Sequence, residues 1–335
     1  MTLQTRKPTG LPAWPILLLA GIEKTGKSYA SAAASASDLI GRTFWIPIGE
    51  DAPDELGAIP GARFEIVEHD GTYRALLGAL DECVTELAKD EKPGLIVLDS
   101  GTRLWNLLSD EAQAKANHRA TEKAKKYKRE APEGDVTIGM DLWNSAKQRW
   151  DHVMDCLREH QGPSIVTARL DQTAVVDERG EPTKEKTWKV QAHKSLPFDV
   201  GAIVEMPAPG EAVLTGVRSL RVRNANTVRR PLKDFTVEAL WREMGLAEQA
   251  GTRSHSSSSG SNSVAADDAA ATDVERARLA LLAEIGDLTA KASTTKEAVA
   301  ADWFHTHGHA IAETTDLGSL ELLRDDLKTR SEMAA

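Results

Sequence analysis

The chain is poor in cysteine, with two residues, Cys83 and Cys156, in 335. Each sits in an amphipathic helical pattern and is expected to be a small core residue in a reducing compartment, without a disulfide or metal role. Aromatic residues are also scarce, at 5%. No apolar run approaches the ~18 residues of a membrane span, and the N-terminal stretch lacks the apolar core of a signal peptide. A cytosolic protein with no membrane association is therefore expected. Positive charge is in deficit, with a formal net charge of −10. That does not exclude nucleic acid, because phosphate contacts are made by local faces rather than by net charge. Hydrophobic content of 41% and charged content of 27% describe a globular chain rather than a disordered one. Its length allows one large core and an appendage.

What is present is a phosphate-loop pattern. Gly21-Ile22-Glu23-Lys24-Thr25-Gly26-Lys27-Ser28 fits G-x-x-x-x-G-K-[ST] at every specified position. The apolar run Ile16 to Ala20 before it reads as a buried strand, and the Ala/Ser-rich stretch from Tyr29 to Ile40 reads as a helix. In such a strand, loop and helix the glycines let the backbone wrap a phosphate, and the helix N-terminus aims N–H groups and positive dipole at it. Lys27 then meets the β- and γ-phosphates and Ser28 ligates Mg²⁺. Gly21, Glu23, Lys24, Thr25, Gly26, Lys27, Ser28 and Tyr29 form the expected nucleotide-binding set.

Other strand ends supply acids. Gly94-Leu95-Ile96-Val97-Leu98-Asp99-Ser100 reads as a strand buried on both faces and ending in a carboxylate, which places Asp99 as a direct or indirect Mg²⁺ partner in the Walker B role. Strand 43–48 runs into Gly49-Glu50-Asp51, where Glu50 is the candidate to orient an attacking water. The alternative there is a solvated acidic turn, since Asp51, Asp54 and Glu55 crowd the same loop. Thr167 and Arg169, at the end of strand 164–167, are candidate γ-phosphate sensors.

The remaining pattern is an apolar stretch at 63–67, a helix at about 71–89, a helix at about 138–160, and short strands at 200–206, 211–217 and 219–223. A helix over 236–245 closes the core. Alternating strands and helices predict an α/β fold with a mainly parallel sheet, ending in antiparallel hairpins. Residues 251–273, rich in Ser, Ala and Asp, are expected to be a disordered linker that separates a core over 1–250 from a small helical module over 274–335. In that module Leu281, Leu282, Ile285 and Leu288 make one stripe, and Leu317, Leu320, Leu323 and Leu327 another. A metal role for His305, His307 and His309 is disfavoured, because no Cys or carboxylate completes a site at ligand spacing.

Two polar segments follow later strands. In 108–137, Lys115, Arg119, Lys123, Lys125, Lys126, Lys128 and Arg129 stand against one acid, Glu122, between Lys115 and Arg129. On a mobile loop this run suits a phosphate backbone, with Tyr127 able to stack on a base. The bland alternative is a solvated helix face. The second segment, 170–188, reads as a flexible hairpin around Arg179-Gly180-Glu181-Pro182.

The ordered set of phosphate loop, Glu50, Asp99-Ser100 and following polar loops is similar to the RecA/RadA core. More narrowly, over about residues 10–246 the chain resembles the phage nucleotide-binding ATPases of the Sak-type single-strand annealing group. The resemblance implies a RecA-like P-loop NTPase core, ATP and Mg²⁺ as cofactors, Lys27, Glu50 and Asp99 as catalytic residues, and segments 108–137 and 170–188 as two DNA-binding loops. It implies single-stranded DNA as partner, recombination or annealing as function, and a homo-oligomeric ring or filament in the bacterial host cytoplasm. In such an assembly Lys189, Lys194 and Arg223 are candidates to complete a neighbour's site, and the C-terminal module to recruit a single-strand binding protein. Thr167-Ala168-Arg169 departs from the family in lacking the amide or histidine sensor often found after that strand. A helicase loader or other motor ATPase, a small-molecule phosphotransferase and a non-hydrolysing nucleotide binder are the alternatives.

Overall fold

The computed structural model describes residues 3, 5–130, 132–176, 182–222, 229–253, 278, 280–289, 291, 294–307, 310–311, 314 and 317–333. The chain divides into two compact units, Met1–Ser256 and Ser257–Ala335. In the first, β1 (Ile16–Gly21), α1 (Lys27–Ala34), β2 (Thr43–Pro47), β3 (Glu65–Ile66), α2 (Tyr73–Leu87) and β4 (Leu95–Asp99) are followed by α3 (Gly101–Lys126) and α4 (Met140–Glu159). Then come β5 (Ser164–Val176), β6 (Pro182–Gln191), α5 (Leu196–Asp199), β7 (Ala202–Met206), β8 (Val213–Val217), β9 (Arg230–Pro231) and α6 (Val237–Glu243).

These strands form one nine-stranded sheet in the order β3-β2-β4-β5-β1-β7-β8-β9, with β6 paired to β5 off this path. β1, β2, β3, β4, β5 and β7 run parallel, while β6, β8 and β9 are antiparallel to their neighbours. The α/β core with a mainly parallel sheet expected from the sequence is thus present, with β6 as an antiparallel partner of β5 and the antiparallel strands β8 and β9 after β7. The expected strand at 219–223 is not: residues 219–222 are irregular, and the outer antiparallel strand is β9. The helix expected over 28–40 stops at Ala34, where Ser35 bonds the Ala32 carbonyl through its hydroxyl (2.6 Å) and competes with the helical ladder.

Both faces of the parallel strands are buried, which is why their sequences are continuous apolar runs. Ile16, Leu18, Ala20, Ile96 and Leu98 pack against Leu80, Leu104, Trp150 and Leu157 of α2, α3 and α4. Leu17, Leu19, Leu95 and Val97 face the other way, against Ala32 of α1 and Leu240 and Trp241 of α6. The cysteines serve as core residues here, and burial pushes the Cys83 thiol up to about 12.

The segment 108–137, expected as a mobile loop, is largely helix. Ser100 caps α3 by accepting from the Arg103 N–H (3.3 Å), and Leu104, Leu108, Ala112, Ala116 and Ala124 recur at four-residue multiples along its buried side. Alanines make that stripe thin, so the sequence reads as polar although the helix persists for 26 residues, about 39 Å. It ends with Lys128 at φ 51° and the Arg129 N–H on the Ala124 carbonyl (2.9 Å), the left-handed stop of a helix C-terminus. α4 packs antiparallel to it through Glu111 with Arg149 and Arg119 with Asp141. Ala112, Ala116 and Leu142 form a small core of their own, apart from the sheet core.

Residues 251–253, placed by the sequence in the linker, are tied to the first unit. Gly251 N–H bonds the Pro12 carbonyl (2.8 Å), and the half-buried Arg253 guanidinium donates to the carbonyls of Leu157 (2.5 Å), Gly162 (3.2 Å) and Trp14. Residues 254–273 of the expected linker lie outside the described residues. The second unit contains helical residues 280–289, α7 (Lys296–His307) and α8 (Leu317–Met333). Its core is Leu281, Ile285, Trp303, Leu320 and Leu327, drawn from both expected stripes plus Trp303. His305 and His307 lie on α7 and His309 lies outside the described residues, among which no group of three or more His, Cys, Asp or Glu is arranged to hold a metal. No helix of the described residues is long and apolar enough to cross a membrane.

Candidate nucleotide-binding site

β1 delivers the loop 21–26 to the carboxyl edge of the sheet, where Gly21 is in register with Arg169 of β5 and Met206 of β7. A Cβ on Gly21 would lie 2.6 Å from Thr25 Oγ1 and 2.9 Å from the Met206 carbonyl oxygen, so only glycine lets the loop turn there. Lys24 (φ 57°) and Gly26 (φ 92°) take the left-handed conformation that curls the loop. Thr25 is buried and donates to the Ile22 carbonyl (3.0 Å). No side chain caps the start of α1, leaving its first-turn N–H groups for an anion. Lys27 Nζ donates to the carbonyls of Gly21 (2.9 Å) and Ile22 (2.6 Å) and so lies over the loop. Burial lowers its pKa, with Asp99 acting in the opposite sense.

Asp99 ends β4 two strands away, since β5 lies between β4 and β1. Its two oxygens are divided: Oδ2 accepts from Ser28 Oγ (3.2 Å), and Oδ1 accepts from the buried hydroxyl of Thr167. Burial raises the Asp99 pKa, the Thr167 and Ser28 bonds pull it down, and Glu50 adds a further upward push.

Glu50 follows β2, whose Pro47 is in register with Asp99. Its Oε1 takes every donor: Arg169 Nη2 at 2.7 Å and Ser100 Oγ at 3.2 Å, with Arg103 Nε at 3.7 Å. Gly49 (φ 58°) makes the turn that brings Glu50 there. The Arg169 N–H is itself held by Thr102 Oγ1 (2.9 Å). Lys27, Ser28, Asp99, Glu50, Thr167 and Arg169 therefore converge on one edge. The sequence reading names Ser100 only beside Asp99 and gives it, Thr102 and Arg103 no role, although their position in the helix turn directly after Asp99 is the signal that finds them.

Other expected residues are more dispersed. Glu23, Lys24 and Tyr29 are exposed around the loop. Of the basic run, Lys115 pairs with Glu111 (3.9 Å), Lys125 with Glu122 (2.8 Å) and Arg119 with Asp141, whereas Lys123, Lys126, Lys128 and Arg129 have no carboxylate partner among the described residues. Tyr127 is exposed, with Lys126 Nζ 5.9 Å from its ring centre. Residues 170–176 and 182–191 form the expected hairpin, whose turn at 177–181 lies outside the described residues. Lys189 on β6 and Lys194 before α5 are exposed and make no ion pair among the described residues; Arg223 lies outside them.

The donor set fits a nucleotide with Mg²⁺. A hydroxyl and a carboxylate oxygen 3.2 Å apart are hard ligands beside uncapped N–H groups and an ammonium. Fold and site together define an α/β phosphate-loop protein. No protein-family model and no curated protein matches the chain. Among solved structures it is similar to the RadB recombinase, at 20% identity over 62% of this chain and 84% of that one, with a TM-score of 0.34. It is also similar to a prototypical ATPase from the type III secretion system of pathogenic bacteria, at 13% identity over 58% of this chain and 54% of that one, with a TM-score of 0.37.

Proposed function

We propose that the chain is a Mg²⁺-dependent ATPase coupled to single-stranded DNA, of the phage recombination and annealing kind. The observation that carries the nucleotide reading is Ser28 Oγ 3.2 Å from Asp99 Oδ2, beside an uncapped helix start and Lys27. In this reading the N–H groups of the loop and α1 hold the phosphates. Lys27 exchanges the Gly21 and Ile22 carbonyls for phosphate oxygens. Ser28 and Asp99 would hold Mg²⁺, which would supply positive charge to offset that of the phosphates. Glu50 orients the attacking water and accepts its proton as the bond to the leaving diphosphate breaks.

The DNA part is supported by the four basic residues without carboxylate partners at the end of α3 and by exposed Tyr127. Exposed Lys189 and Lys194 support a ring or filament in which a neighbour's cation completes the site. Exposed Phe304 and Leu322 on the second unit support its recruiting a single-strand binding protein. Residues 1–250 are then the ATPase core and 274–335 the recruiting module, working in the host cytoplasm.

The test is ATPase measured with and without single-stranded DNA, at low and high salt, on a sample sized by light scattering. Stimulation that fades steeply with salt, abolished in Lys27→Ala, is expected. A rate unmoved by DNA at low salt overturns the DNA half, and a Lys27→Ala protein of unchanged rate overturns the ATPase half.

A further inference from the structure

Glu50 is held one-sidedly. Oε1 accepts from Arg169 and Ser100 and has Arg103 near, while Oε2 accepts no hydrogen bond among the described residues. A carboxylate whose two oxygens are so divided has a fixed plane and one lone-pair edge left for a water. The strongest of these restraints is Arg169, a charged donor at 2.7 Å. Arg169 is itself fixed twice. Its N–H lies on Thr102 Oγ1 (2.9 Å), and its backbone is paired with Gln191 of β6 and aligned with Gly21 of β1. Its guanidinium is thus engaged on the acid of its own chain, which is a different task from sensing a γ-phosphate.

We infer that Arg169 is a positioning residue: it clamps Glu50 Oε1 so that Oε2 points at the attacking water, and acts on hydrolysis through Glu50 alone. This rests on the reading of Glu50 as the base. A base held in place raises the rate of the chemical step without changing ground-state nucleotide affinity, and misplacement by about 1 Å costs on the order of 10²-fold.

The experiment is a double-mutant cycle on the full chain with Mg-ATP, comparing wild type, Arg169→Gln, Glu50→Gln and the double variant, with Arg169→Lys as the conservative member. Thermal melting and binding of a fluorescent ATP analogue verify folding in each. Arg169→Gln is expected to lower kcat on the order of 10²-fold with KM unchanged, and Arg169→Lys to recover part of the loss. In the Glu50→Gln background the Arg169 substitution is expected to add nothing. Losses that multiply in the double variant, or a KM that rises with kcat unchanged, overturn the inference and leave Glu50 as base. A Glu50→Gln enzyme of wild-type kcat overturns the base reading itself. Should Arg169→Gln fail to fold, Arg169→Lys against Glu50→Gln carries the same comparison.

Discussion

Thr167 donates its hydroxyl to Asp99 Oδ1, leaving Oδ2 to Ser28, so a side chain on β5 decides which oxygen of β4 faces the phosphate loop. Thr167 is fully buried, so its hydroxyl is held against Asp99 away from solvent.

Thr167→Val removes that donor while keeping shape. Burial already raises the Asp99 pKa and the Thr167 bond pulls it down, so the variant's pKa is higher still. Metal binding needs the ionised carboxylate, and the pH at which half of it is lost on acidification is expected to move upward. Mn²⁺ or Mg²⁺ titrations between pH 5 and pH 8 check the direction.

Gly21→Ala places a Cβ 2.9 Å from the Met206 backbone oxygen and 2.6 Å from Thr25 Oγ1. The loop must shift, at a cost of about 1–3 kcal/mol in stability, and the N–H groups leave their aim. Calorimetry with a nucleotide analogue is expected to show at least a tenfold loss of affinity.

His160 is buried with its Nε2 donating to the Gly94 carbonyl (2.9 Å), and burial lowers its pKa from 6.5 to about 4. The unfolded chain therefore takes up a proton first. The stability this neutral ring permits is fully present above pH 6.5 and is lost as pH falls toward about 4, by about 2 kcal/mol at pH 5. Burial also lowers the pKa of His193, which acts with the same sign. Urea denaturation at pH 7, 6 and 5 is expected to show the slope, and His160→Gln to flatten it.

The basic residues of α3 divide into paired and unpaired groups. Alanine at Lys123, Lys126, Lys128 and Arg129 is expected to reduce the logarithmic salt slope of single-stranded DNA binding by about 3, at roughly 0.7 per lost contact. Alanine at Lys115, Arg119 and Lys125, which already face Glu111, Asp141 and Glu122, is expected to reduce it less. Fluorescence anisotropy from 50 to 300 mM salt separates the two sets.

Most of the core was legible because its signals are local. A strand buried on both faces must be apolar throughout, as Leu17 to Ala20 and Leu95 to Leu98 are, and the loop needs glycine at Gly21 and Gly26 for steric reasons that any sequence shows. α3 left two readings open, a mobile loop and a solvated helix face, because helicity there is carried by alanines and by packing on α4, which leave little hydrophobic contrast in the sequence; the structure takes the helix. The edge strand β9 was missed because two residues, one of them proline, hold pairing that only a neighbouring strand reveals.

The sequence by itself determined the loop, the strand that delivers it, and the acids at the ends of β2 and β4, since each depends on residues within one turn or strand. Only the tertiary structure decided which of these groups meet. Thr167 lies 68 residues from Asp99, and Arg169 lies 119 residues from Glu50, so no local pattern links them. Sheet order set these pairs: β5 inserted between β1 and β4 puts Thr167 against Asp99, and its continuation past the edge holds Arg169 to Glu50.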